Sequence, residues 1–293
     1  IDAIVIATEA NEHISFAIHA LDAGKHVLSE IPAINSIEEA RKIKAAVNAH
    51  PDLKYMVGEN CCFWAFINTW KSIYEKGMIG EVVYAEADYL HNILDLMRDK
   101  DGNSTWRADY NAIKYITHDL GPLLYLLNDR CVSVSGFIPG INTAKEMTFK
   151  GTPEEIAIFR TAKGALIKIF VGFGVNVKYA HNFNLYGTKG SLETDRITEY
   201  NSGIRTYATF ADIPNTKGKI EIPIDLLYPG AKDDGHGGGD TKMLQEFIRC
   251  FINDTKPLID VDLGIRISLP GIYAHMSAEK GGMPIDIPDV DKL

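Results

Sequence analysis

No strand in this chain runs into a G-x-G-x-x-G turn, the device with which a nucleotide-binding sheet holds a pyrophosphate. The glycine clusters around Gly187 and Gly237 follow no parallel strand and do not supply one. Cysteine is scarce: Cys61, Cys62, Cys131 and Cys250 form no C-x-x-C. That argues against a disulfide framework or a zinc knuckle and for reduced thiols. The nine histidines are scattered, and no metal site is expected. No apolar run approaches the roughly 20 residues that span a bilayer. Positive charge is in deficit, with a net charge of -9, so a nucleic-acid or anionic-membrane role is not expected. No charged segment followed by an apolar one marks a leader peptide, and a cytoplasmic location is expected. A chain beginning at Ile1 leaves a signal peptide open.

What is present is alternation. Residues 2–8 are a continuous apolar run, as in a strand covered on both faces. Asn11 is placed to cap a helix with Ile14, Ala17, Ile18 and Leu21 on one face, stopped by Gly24. Residues 25–29 read as a second strand. Ser36 and Glu39 form a capping box for a second helix, and residues 54–58 read as a third strand. This is β-α-β-α-β, which implies parallel pairing.

After Asn60 the pattern changes. A helix is expected over 64–76, ended by Gly77, then a long strand over 81–89 and a helix over 116–127. Strands follow at 132–137, 156–161, 165–173, 181–187 and 190–195. Short turns at 162–164 and 187–190 favour antiparallel pairing. Helices return at 240–253 and 261–280, the latter kinked at Pro270, and the Pro-rich tail 283–293 is expected to be extended. The fold class is therefore α/β, a truncated Rossmann-type parallel sheet followed by an α+β domain with a large, mostly antiparallel sheet. The expected boundary separates 1–62 from 63–293, with helix 261–280 packing back on the first unit.

Chemistry concentrates at strand ends, where α/β sheets bind ligands. Glu30 and Asn60 end neighbouring strands and could bond a nicotinamide ribose and carboxamide; self-satisfied turn residues are the plainer alternative. Thr8, Asn11 and His13 follow the first strand and are further cofactor candidates. His118 opens a helix where a polar loop turns apolar, and a histidine there can take or give a proton near neutral pH. A core histidine bonded to a carbonyl is the alternative. Tyr115 and Lys114 stand just upstream as catalytic candidates. Trp106-Arg107 offers a flat face and a fixed cation suited to a sugar ring. His236, in the glycine-rich loop 235–239, and Tyr179 complete the substrate-binding candidates, with His181 beside them.

The order of Ile-Ala-Thr, then Ala-Gly-Lys-His-Val-Leu-x-Glu-x-Pro, then Gly-Glu-Asn resembles the second half of the Rossmann domain of Gfo/Idh/MocA oxidoreductases. Trp106-Arg107, the segment from Tyr186 to Glu193, and Gly235-His236-Gly237-Gly238 resemble that family's substrate domain. The family's first two β-α units, roughly 60 residues at about 30 per unit, would carry the pyrophosphate turn. They are not in this sequence, and weak or no binding of NAD by residues 1–293 alone is expected.

Where most of the family has Glu-Lys-Pro, this chain has Glu30-Ile31-Pro32, and isoleucine moves no proton. The resemblance sets Ile31 and Pro32 beside the cofactor. A narrower branch, the NAD-dependent α-N-acetylgalactosaminidases, resembles this chain in Glu-x-Pro, in Glu-Asn-Cys-Cys and in Thr117-His118-Asp119-Leu120-Gly121-Pro122. It has Tyr where this chain has Phe63. The resemblance implies NAD or NADP, with NAD favoured, a carbohydrate substrate, and a homodimer or homotetramer through the antiparallel sheet. It implies hydride transfer from a sugar hydroxyl, with glycoside cleavage by oxidation, elimination, hydration and reduction as the alternative. A third alternative is a non-catalytic relative unable to hold the dinucleotide.

Overall fold

The computed structural model describes residues 1–141, 143, 150–177, 180–196, 204–213, 218–223 and 236–293. Three short strands, β1 (Ala3–Ile6), β2 (His26–Ser29) and β3 (Tyr55–Val57), form a parallel sheet in the order β1-β2-β3. Helices α1 (His13–Asp22) and α2 (Ile37–Ala49) make the crossovers. The expected Asn11 cap does not form: Glu12 holds the N-cap position without a side-chain bond, and Asn11 is exposed. The Ser36 cap does form, accepting from the Glu39 amide at 3.1 Å. The return half of the capping box is displaced by one residue, since Glu39 accepts from the amide of Asn35.

Helix α3 (Ala65–Glu75) leads to a nine-stranded sheet ordered β11-β10-β9-β8-β4-β7-β6-β5-β12. Its strands are β4 (Val82–Leu90), β5 (Cys131–Phe137), β6 (Glu154–Thr161), β7 (Leu166–Gly172), β8 (Ala180–Gly187), β9 (Gly190–Thr194), β10 (Thr206–Phe210), β11 (Ile220–Ile222) and β12 (Ile285–Asp286). Both short turns join antiparallel neighbours, β6 with β7 and β8 with β9. The exception is β4, which pairs parallel with β7 and antiparallel with β8. The tail expected to be extended pairs as β12 with β5 and closes in a 3-10 turn at Val290–Lys292.

One face of this sheet packs on α4 (Thr117–Leu127) and α6 (Val261–Glu279), with Ala85, Ala87, Phe159, Ile167 and Ile169 buried between. α6 is one helix with Pro270 inside it. It also reaches the parallel sheet. Ser268 Oγ accepts from the Ala33 amide at 3.1 Å, and the Val57 amide donates to Ile259 O at 2.9 Å. Gly264 permits this approach, because a Cβ there would lie 2.4 Å from Val57 Cγ2. Residues of both sheets therefore share one buried core, centred on Phe66, Trp70, Phe159 and Phe183. No described helix is long and apolar enough to cross a membrane.

Candidate active site

A cleft of about 330 Å³ opens where the carboxyl ends of β2 and β3 meet the end of β4 and the start of α4. Glu30, Asn60, Trp106, Arg107, Tyr115, His118 and His236, all singled out from the sequence, line it together. Tyr89, His91, Tyr110, Phe173 and Asp240 line it too.

His118 stands in the first turn of α4. Its Nδ1 lies 2.8 Å from Glu59 Oε1 and 3.3 Å from Cys61 Sγ. Its Nε2 has no hydrogen-bond partner among the described residues. Glu59 is the N-cap of the 3-10 turn Asn60–Phe63, accepts from the Cys61 amide at 3.2 Å, and its side chain is wholly buried. Burial opposes its charge, but the facing imidazole, helped by the Thr117 hydroxyl and the Cys61 amide, outweighs burial and holds the carboxyl below the usual range. Glu59 Oε1, Cys61 Sγ and His118 Nδ1 lie within 4.8 Å of one another. Burial, with Glu59 next, keeps Cys61 a thiol. The trio is therefore a hydrogen-bonded set built around one carboxylate, not three anionic or neutral donors turned on a cation.

The network continues. The Cys61 thiol donates to Asn60 Oδ1 at 3.3 Å, and Asn60 Nδ2 donates to Asp240 Oδ1 at 2.6 Å. Asp240 Oδ2 faces His236 Nδ1 at 2.7 Å, and the His236 carbonyl accepts from Trp64 Nε1 at 2.9 Å. Asp240 belongs to the first turn of α5 (Gly239–Ile252), where Gly238 is the N-cap without a side-chain bond. It therefore works as a bridge between Asn60 and His236. Asn60 has its amide engaged inside the protein at both ends, which is nearer the plain turn reading than the carboxamide-binding one.

Glu30 follows β2 and carries a carboxyl raised by burial, against the pull of His118. Gly58 keeps the ends of β2 and β3 together: a Cβ would meet Ser29 O at 3.3 Å and Glu30 Oε1 at 3.4 Å. Arg107 lies over the Trp106 ring at 4.6 Å, and Tyr110 meets that ring edge-on at 5.4 Å. Tyr115 is raised in pKa by burial, so its hydroxyl stays protonated. The Tyr89 hydroxyl bonds His91 Nδ1 at 2.9 Å, and burial lowers His91 to about 4. Behind them His181 stacks on Tyr89 at 4.4 Å and faces Asp119 at 3.3 Å, both without exposure. Burial makes Asp119 hard to ionise and His181 hard to protonate, so the pair is neutral.

Other sequence candidates lie elsewhere. His13 is buried, with Nδ1 at 3.2 Å from Pro32 O and Nε2 at 3.2 Å from Thr8 O. It staples the end of β1 to the Ile31-Pro32 segment, and neither ring nitrogen faces the cleft. Ile31 is in the core at 3% exposure. Thr8 and Asn11 are exposed, and Thr8, Asn11, Pro32 and Lys114 are not among the cleft residues. Tyr179 lies outside the described residues. Sequence reasoning passed over Glu59, Tyr89, His91 and Asp240. Glu59 had a signal, since it stands inside the Gly-Glu-Asn segment already singled out.

The two sheets and the cleft between them define a Rossmann-type protein with a second, α+β domain closing over the strand ends. Residues 1–59 match the oxidoreductase family with an NAD-binding Rossmann fold, and residues 67–193 match the GFO/IDH/MocA C-terminal domain. The chain belongs to the Gfo/Idh/MocA family. A glycosyl hydrolase family 109 protein of Solibacter usitatus is 26% identical across 99% of this chain and 71% of its own length. One of Bacteroides thetaiotaomicron is 27% identical across 99% and 69%. Among solved structures, an oxidoreductase domain protein of Kribbella flavida superposes with a TM-score of 0.83 at 21% identity, over 98% of this chain and 80% of that one. A levoglucosan dehydrogenase complexed with NADH and levoglucosan gives 0.84 at 21%, over 98% and 80%.

Proposed function

We propose that the cleft binds a carbohydrate and that the protein oxidises one of its hydroxyls with a nicotinamide cofactor, NAD rather than NADP. The observation that carries this reading is the His118 imidazole, bonded to a buried carboxylate on one nitrogen and open to the cleft on the other. The residues present fit the nicotinamide end of the cofactor: strand ends brought close at Gly58, and a Glu30 carboxyl lining the cleft that would accept from a ribose or sugar hydroxyl. When bound, the nicotinamide supplies the hydride acceptor. His118 Nε2 takes the hydroxyl proton, and Glu59 stabilises the imidazolium that results. Trp106 and Arg107 offer the ring an apolar face and fixed donors, and Glu30 orients hydroxyls. The aromatic wall of Tyr89, Tyr115 and Phe173 keeps water from the reacting carbon.

A second reading, cleavage of a glycoside through the same first step, is favoured by the His236–Asp240 pair. Such a route needs a further proton donor or acceptor at the cleft, and the two relatives above are named as glycosyl hydrolases. One experiment separates the readings. The protein is supplied with NAD, free sugars and nitrophenyl glycosides. Accumulating reduced cofactor supports oxidation, and nitrophenol release without it supports cleavage. Neither product from any sugar, with NAD shown bound by calorimetry, sinks both; no NAD binding returns the third alternative, a relative unable to hold the dinucleotide. H118N is expected to lower kcat on the order of 10²–10⁴-fold with the fold intact by circular dichroism.

The open face of the large sheet is proposed as a homo-oligomer surface. Register places Ile158 beside Lys168 and Glu86, and Ile156 beside Phe170 and Asp88. Ile158 is 44% exposed and Leu166 38%. An apolar patch set around paired charges suits self-association. Light scattering is expected to show a dimer or tetramer that I158E dissociates; a wild-type monomer overturns the assignment.

A further inference from the structure

We propose that Glu59 is the positioning residue that fixes the tautomer of His118 and so makes Nε2 its basic atom. The inference rests on the reading of His118 as the proton acceptor. An ionised carboxylate only accepts hydrogen bonds, so the nitrogen 2.8 Å from Glu59 Oε1 must carry the proton. A neutral imidazole protonated on Nδ1 has its lone pair on Nε2, the nitrogen without a partner among the described residues.

Three local features hold this geometry. Glu59 is anchored by its own turn, accepting the Cys61 amide at 3.2 Å as N-cap of Asn60–Phe63. The Cys61 thiol donates away from the ring, to Asn60 Oδ1, and leaves its sulfur toward Nδ1 at 3.3 Å as a second, weak acceptor. Gly121, one turn along α4 from His118, gives the Glu59 side chain room, since a Cβ there would stand 3.1 Å from Glu59 Cγ. The other carboxylate oxygen, Oε2, is buried without a hydrogen-bond partner. The imidazole is the largest support for the charge of Glu59, with the Cys61 amide and the Thr117 hydroxyl beside it, and an imidazolium formed by proton uptake at Nε2 meets a buried counter-charge.

The residue type matters as much as its place. A glutamine has the same shape but can turn its NH₂ toward Nδ1. That would move the imidazole proton to Nε2 and abolish the base.

The test is ¹⁵N magnetic resonance of the histidines in the whole protein without cofactor, with kinetics beside it. The wild type is expected to show His118 protonated on Nδ1 and unprotonated on Nε2. E59Q is expected to lose that preference and to lower kcat on the order of 10²–10⁴-fold, with KM changed by less than about twofold. E59D, which keeps the charge, is expected to restore the tautomer and part of the rate. A wild-type proton on Nε2, or an E59Q protein with tautomer and kcat unchanged, overturns the proposal. The wild-type spectrum decides even if E59Q does not fold. It also needs no substrate: a protein with the expected tautomer that binds NAD yet turns over no sugar refutes the function and leaves the Glu59 assignment standing. Turnover with the opposite tautomer does the reverse.

Discussion

Glu30 is the cleft carboxyl whose charge works against the fold. Burial raises it, His118 and the Ile31 amide pull the other way, and Glu59 and Asp240 add to the rise. In the folded protein Glu30 therefore holds its proton to higher pH than in the unfolded chain. Stability attributable to it falls as pH rises from the ordinary glutamate range through the raised one, and stays lower above. E30Q removes that titration. Its melting temperature is expected to exceed that of the wild type at neutral pH and to converge with it in acid. A melting temperature below wild type at neutral pH would show that Glu30 is stabilised by its neighbours instead. Sugar binding should weaken in the same variant, because an amide replaces two acceptor oxygens with one. Activity and stability are then expected to move in opposite directions at this single position, as strained site residues do.

At the scale of elements, α4 joins chemistry to packing. Thr117-His118-Asp119-Leu120-Gly121-Pro122 reads as a motif because several of its members face different partners. His118 meets Glu59, Asp119 meets His181 at 3.3 Å, and Gly121 makes room for the Glu59 stem. G121A should gain about 1 kcal/mol of helix propensity and lose about 1–3 kcal/mol to overpacking against Glu59 and Ile267. The expected result is a melting temperature equal to or a few degrees below that of the wild type with a clear loss of kcat; unchanged turnover would show that Glu59 can yield without cost.

Periodicity carried the helices and most strands here, since the apolar faces of α1, α2 and α3 and the hairpin turns are local facts. It could not carry the parallel β4–β7 pair, because strand alternation says nothing of direction. Nor could it tell a side chain free to meet a ligand from one engaged inside the protein. His13 and Asn60 looked like ligand contacts, yet their hydrogen bonds go to Pro32, Thr8, Cys61 and Asp240. Glu59 was in plain sight, but its partner lies 59 residues away along the chain. Only tertiary packing brings the two together.

Across the whole molecule, two histidines, the half-buried His91 and the buried His181, set the response to acid. Burial lowers His91 to about 4 and His181 well below its ordinary range. Both are protonated in the unfolded chain below about pH 6.5 while the folded protein still excludes the proton. Their contribution is intact above that pH and is lost progressively as pH falls toward 4. The melting temperature is expected to drop between pH 7 and 4.5, with a shallower drop in H91Q. Equal slopes would place the acid sensitivity in other groups.

The bonds that α6 and the turn before it make to Ala33 and Val57 also have a temporal meaning. A ribosome releases residues 33 and 57 more than two hundred residues before 259 and 268 exist. Until then the parallel sheet lacks the surface that covers Val57 and the donor-acceptor pairs that close its end. The parallel unit is thus synthesised well before α6 and completed only when α6 arrives. Its nascent form must wait with apolar surface uncovered, a natural client for a chaperone that holds chains during translation.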